Sequence, residues 1–143
     1  MLLDEQALFS NDQAITASAA STNYMNLGAT ATPPGAPAAL VRDLGGANNI
    51  EILVQVTEDF ATLTSLTITV EVDDNSSFSS AKTVASSGAI AAADLVVGKK
   101  IPITVLPEGT DEQYLRMYYT VTGSNATAGK VVAGLTTGLQ TNG

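Results

Sequence analysis

The chain has 143 residues, enough for one compact domain that buries roughly 70% of its unfolded surface and too few for two ordinary ones. Six basic residues against fourteen acidic ones leave a formal charge of −8, which repels polyanions, so no nucleic acid partner is expected. Without cysteine or histidine the chain has no disulfide framework, no thiolate nucleophile and no Ser-His-Asp or Cys-His mechanism of its own.

The opening MLLDEQALFS places Asp4 and Glu5 where a secretory signal has a basic region followed by an unbroken apolar run. No export signal is expected, and synthesis in a cytoplasm fits. Segment 1–12 poses a choice through Leu2, Leu3, Leu8 and Phe9: it is either an arm reaching a neighbouring molecule or an edge strand that closes the core. In the first case these four are interface residues. Residues 13–143 read as a single domain.

Short strand candidates follow at Ala14–Ala19 and Asn23–Leu27. Ala29–Ala39, ATATPPGAPAA, is Pro- and Ala-rich without periodicity and reads as an extended loop, before another candidate at Ala38–Arg42. Beyond a turn signalled by Gly45-Gly46 and Asn48-Asn49, alternation becomes clear. Ile50, Ile52, Val54 and Val56 share one face, with Glu51, Leu53 and Gln55 on the other. Leu66, Ile68, Val70 and Val72 repeat the pattern against Thr67, Thr69 and Glu71, and Asp73-Asp74-Asn75 turns the chain toward Lys82–Ser86.

Gly98, a strand candidate at Lys100–Val105, the turn Pro107-Glu108-Gly109 and a short turn over Asp111–Gln113 come next. Leu115, Met117, Tyr119 and Val121 then point inward, leaving Arg116, Tyr118 and Thr120 outside. Gly123-Ser124-Asn125 predicts a turn before a last strand at Lys130–Leu135. Helical potential is confined to one or two turns in Asp4–Phe9 or Ala89–Val97. The longest apolar runs, Ala89–Ala93 and Leu95–Val97, are split by Asp94 and fall far short of the ~18 residues of a membrane helix, so no membrane partner is expected. Strands recurring at this spacing predict an all-β, single-domain antiparallel sandwich of jelly-roll type.

The motifs that suggest chemistry are incomplete. Lys130 follows Gly129 near Gly123, but five residues separate the glycines where a phosphate loop has four, and Val131 stands where the magnesium-binding hydroxyl belongs. Ser79-Ser80-Ala81-Lys82 has a serine–lysine spacing without the Lys-Thr-Gly element that accompanies it in penicillin-interacting enzymes. Asp73, Asp74 and Asn75 offer oxygens to calcium, yet Phe78 replaces the glycine such a loop needs and the terminal Glu is missing. Asn75-Ser76-Ser77 and Asn125-Ala126-Thr127 fit a glycosylation pattern that has meaning only on a secreted chain. No catalytic, cofactor or metal residue is assigned, and a non-enzymatic protein is expected. What remains is surface: Leu53 and Tyr118 fall on outward faces of clearly alternating strands, where they are candidates for contact with a partner.

MLLDEQALFSNDQAITASAASTNYMNLG, VRDLGG, TLTSLTITVEVDDNSSF and LPEGTDEQYLRMYYTVTGSNATAGKVVAGL together resemble the small cement, or decoration, proteins of tailed bacteriophages, in particular the short-tailed phage type with a jelly-roll fold. The resemblance spans nearly the whole chain and rests on segments such as Gln13-Ala14-Ile15-Thr16, Ala20-Ser21-Thr22, Leu106-Pro107 and Tyr114-Leu115-Arg116. Before Leu27-Gly28, where the family pattern suggests an acidic residue, this chain has Asn26. The resemblance implies a homodimer, with a trimer as the alternative, that sits on the outer surface of an icosahedral head and bridges major capsid subunits. A carbohydrate- or receptor-binding β-sandwich module of a fibre is the rival reading, resting on Tyr24, Tyr114 and Tyr118 alone because the chain has no Trp.

Overall fold

The computed structural model describes residues 2–46 and 49–139, the side chain of Leu2 excepted. Six strands run in chain order: β1 (Leu2–Ala14), β2 (Ala19–Ala20), β3 (Met25–Asn26), β4 (Glu51–Asp73), β5 (Lys82–Ala91) and β6 (Tyr114–Thr137), with one 3-10 turn at Ala92–Asp94. All pairings are antiparallel, and the sheet order is β1-β6-β4-β5, with β2 and β3 also on β6. The all-β antiparallel sandwich predicted from the alternation is the architecture observed.

Its frame is one pair of very long strands. The sequence suggests separate strands at Ile50–Val56 and Leu66–Val72, but both lie in the continuous β4, because residues 57–65 contain no Gly, Pro or Asn to turn the chain. Likewise Leu115–Val121 and Lys130–Leu135 are halves of β6, and Gly123-Ser124-Asn125 makes a bulge where a hairpin was expected. Register runs regularly from Ser65↔Thr122 to Asp73↔Tyr114 and from Glu51↔Thr136 to Val56↔Val131, and breaks repeatedly between them. In that break Thr62 adopts φ 73°, and its hydroxyl bonds the Asn125 carbonyl (2.7 Å) and accepts from the Thr127 N–H (3.1 Å), replacing lost ladder bonds. Gly129 has φ 134°, and a Cβ there would come within 2.3 Å of the Phe60 ring, so any other residue strains this bend.

Bending brings the apolar faces of both halves onto one core. Leu66, Ile68, Val70 and Val72 are wholly buried, as are Leu115, Met117 and Tyr119, and Ile52, Val54 and Val56 join the same cluster. Each such side chain contributes about 1.5–3 kcal/mol on leaving water. Beside the first half of β4, the predicted strand Lys100–Val105 forms an irregular edge through Ile101 N–H to Val54 O (2.9 Å), Ile52 N–H to Thr104 O (2.9 Å) and Leu106 N–H to Ile50 O (2.9 Å). Ala14–Ala19 and Asn23–Leu27 shrink to the end of β1 and the short β2 and β3, while Lys82–Ser86 extends to Ala91. Ala38–Arg42 forms no strand and Asp4–Phe9 no helix, and Asn48 of the predicted turn lies outside the described residues.

The N-terminal segment is an edge strand. β1 pairs with β6 from Leu2↔Thr137 to Ala14↔Lys130 through three register shifts, and Phe9 is wholly buried in the core. The arm reading of residues 2–12 is therefore corrected: Phe9 is committed within its own chain. Leu53 is corrected as well, since only 2% of it is exposed. Its parity is outward, but it lies opposite Gly134, which in turn faces Leu8 of β1. A Cβ on Gly134 would stand 2.9 Å from Leu8 Cδ2, so the bare glycine lets Leu8 close over this side of the sheet.

Candidate protein-contact face

The outward parity of β6 carries Tyr114, Arg116 and Tyr118 in a row, with Glu71 of β4 opposite Arg116. Two guanidinium nitrogens of Arg116 reach the same Glu71 oxygen at 2.9 and 2.8 Å, an ion pair whose side chains are mostly shielded from water. The guanidinium carbon stands 4.1 Å from the Phe78 ring centre and 5.4 Å from that of Tyr118. Arginine thus links the rings while Glu71 fixes its position; each such stacked contact contributes about 0.5–2 kcal/mol. Tyr114 and the exposed Tyr24 complete the face over the buried Phe78, the three rings packed edge-on at 5.7 to 6.5 Å between centres.

Phe78 reaches this position through the turn after β4. Asp73, 2% exposed, accepts from the Asn75 N–H (2.9 Å), the Ser80 N–H (2.8 Å) and the Ser80 hydroxyl (3.1 Å). Burial works to raise its pKa, but these donors outweigh burial and hold the carboxyl below its usual 3.8. Phe78 N–H bonds the Asn75 carbonyl (2.9 Å), and Phe78 itself adopts φ 51°, a left-handed conformation uncommon for an aromatic residue. Such strain persists only where surroundings impose it, and here it delivers a buried ring beneath Arg116.

The other sequence leads are absorbed by the fold. The Asp73 carboxylate is committed to its turn, and among the described residues no three metal-ligating side chains converge. Lys82 bonds Asp111 (3.1 Å) and the Gly109 carbonyl (3.4 Å), while Ser80 bonds Asp73. Lys130 ties three strands together through Glu58 (3.1 Å) and Asp12 (3.6 Å), and the Glu58 hydrogen bond is the chief reason its pKa is raised.

Of the candidate interface residues, Tyr118 alone belongs to this face, where it is half-buried. Leu3 and Leu8 are half-buried in β1, with Phe9 and Leu53 buried beside them, and the side chain of Leu2 is outside the described residues. Phe78 and Arg116 were missed. For Arg116 the signal was present: a Tyr-x-Arg-x-Tyr run on one outward parity is a continuous stripe in space. Phe78 gave none, since only the closed turn brings it there. Asn26 fills its position with an amide oxygen that accepts from the Gly28 N–H (2.8 Å) and Gln113 Nε2 (3.1 Å).

No curated protein matches the chain. The model of the Bbp16 family matches residues 9–135, from the buried Phe9 of β1 to Leu135 near the end of β6, and the chain belongs to that family.

Proposed function

We propose that this chain is a structural virion protein: a capsid cement protein that binds the outer surface of an icosahedral phage head and stabilises contacts between major capsid subunits. The observation that carries this reading is the Tyr114–Arg116–Tyr118 stripe, braced by Glu71 and extended by the exposed Tyr24 over the buried Phe78. Tyrosine and arginine dominate the energetic centres of protein interfaces, and side chains already held in place lose little freedom on binding. Membership of the Bbp16 family is consistent with a phage protein. The formal charge of −8 suits the outer face of a head, away from packaged DNA. A protein that binds the assembled shell and not its free subunits stabilises the shell by mass action.

The rival sugar-binding reading needs ring faces open for stacking. Here Tyr24, Phe78 and Tyr114 meet edge to face at 67–72°, each ring engaged by another, which favours a protein contact. The test is sedimentation of phage heads lacking this protein after mixing with it. Saturable binding at a copy number comparable to the major capsid protein, with a raised melting temperature of the head, is expected. Absence of co-sedimentation overturns the proposal.

A further inference from the structure

The loop between β3 and β4 contains an uncharged, outward-facing stretch from Ala29 to Val41 in a chain of net charge −8. It is ordered by its own bonds. Ala36 N–H reaches Pro33 O at 3.0 Å with Pro34 and Gly35 (φ 83°) between them, the Pro-Gly arrangement of a type II turn. Leu40 N–H closes the neck on Ala31 O (3.1 Å), and Arg42 pins the base through the Gly28 carbonyl (2.6 Å). At its base, where the neck closes, Leu40 is 62% exposed and Val41 95%. Single exposed apolar residues are ordinary, but here they adjoin the exposed Pro34, Pro37, Ala38 and Ala39 on a stiffened support.

The depression at the neck carries a net negative charge: Asp74, Asp111 and Glu112 line it with Arg42, and Lys82 pairs with Asp111. It adjoins the end of β4 where Tyr114 pairs with Asp73, so loop and aromatic face lie at one end of the molecule.

We infer that residues 29–41 form a preorganised apolar finger that seats up to its neck, Leu40 and Val41 included, in an apolar cleft with a basic rim on the assembled capsid shell. This rests on the cement reading. The Pro-Gly turn and the Ala31–Leu40 bond reduce the ordering that binding must impose, Leu40 and Val41 supply the area removed from water, and the acidic neck meets the basic rim.

The test measures binding of wild type, Val41→Asp and the double variant Leu40→Ser/Val41→Ser to phage heads lacking this protein. Melting temperature and solution mass are followed in parallel, with Val97→Ser as an exposed control from the other half of the sandwich. The inference expects an affinity loss of at least about tenfold in both loop variants with an unchanged melting temperature, and wild-type binding by Val97→Ser. It also expects wild-type binding to weaken with salt, and Asp74→Asn/Glu112→Gln to flatten that dependence. Loop variants that bind as wild type overturn the finger and leave the cement reading standing. Wild-type protein that does not bind heads overturns both. A fall in solution mass in the loop variants makes a second copy the occupant and overturns the shell as partner.

Discussion

Ser10 and Tyr119 form a buried pair whose proton arrangement can be deduced and tested. Both are wholly buried and their oxygens are 2.7 Å apart. Ser10 Oγ also lies 2.7 Å from Gln13 Oε1, which can only accept, since its partner Thr22 N–H donates to the same oxygen at 2.9 Å. Ser10 therefore donates to Gln13, and Tyr119 donates to Ser10. Tyr119→Phe removes one bond but leaves the serine proton placed, a loss of about 1 kcal/mol; Ser10→Ala strands a phenol proton away from water, a loss of about 1–3 kcal/mol. In Ser10→Ala/Tyr119→Phe no phenol remains to be stranded, so the double variant is expected to be less destabilised than the sum of the singles. Chemical denaturation at neutral pH measures all four corners, with melting temperatures moving roughly 2–4 °C per kcal/mol. Strict additivity, or a Ser10→Ala cost below that of Tyr119→Phe, would refute this chain of donors.

Leu53→Ala should cost about 2–4 kcal/mol in denaturation, against about 1 kcal/mol or less for Tyr118→Ser; equal costs would mean that Leu8 and Gly134 do not enclose Leu53. Gly129→Ala places a methyl against Phe60 at φ 134° and should destabilise by about 1–3 kcal/mol, so an unchanged melting temperature would show that this bend is unstrained. The Asp73 carboxyl titrates below its usual 3.8 in the folded chain, so its contribution is complete above the unfolded value and is lost as pH falls through the folded one. Wild-type stability should therefore decline in acid below about pH 4 more steeply than that of Asp73→Asn, and parallel acid profiles would remove Asp73 as the cause.

Period-two alternation was sufficient to assign the inner faces of the long strands. Leu66 to Val72 and Leu115 to Tyr119 are buried on the predicted parity because side-chain direction in a strand is a local property of the pleat. The phage relationship was legible only in its coarse form: the Bbp16 model matches residues 9–135, most of the span on which the resemblance to phage proteins rests. Burial of an outward residue was not legible. Leu53 has the predicted parity and is still covered, because β1 crosses β6 at a glycine more than 80 residues away in sequence. Nor could Gly123-Ser124-Asn125 be distinguished from a hairpin: positive φ at a glycine serves a turn or a bulge equally, and the choice fell to β4, which bends alongside and supplies Thr62 to the opened ladder. The candidate contact face depended most on tertiary structure. Its Tyr-x-Arg-x-Tyr stripe is local, but Glu71, Phe78 and Tyr24 come to it from three other segments, and only sheet pairing and the Asp73 turn set the distances between them.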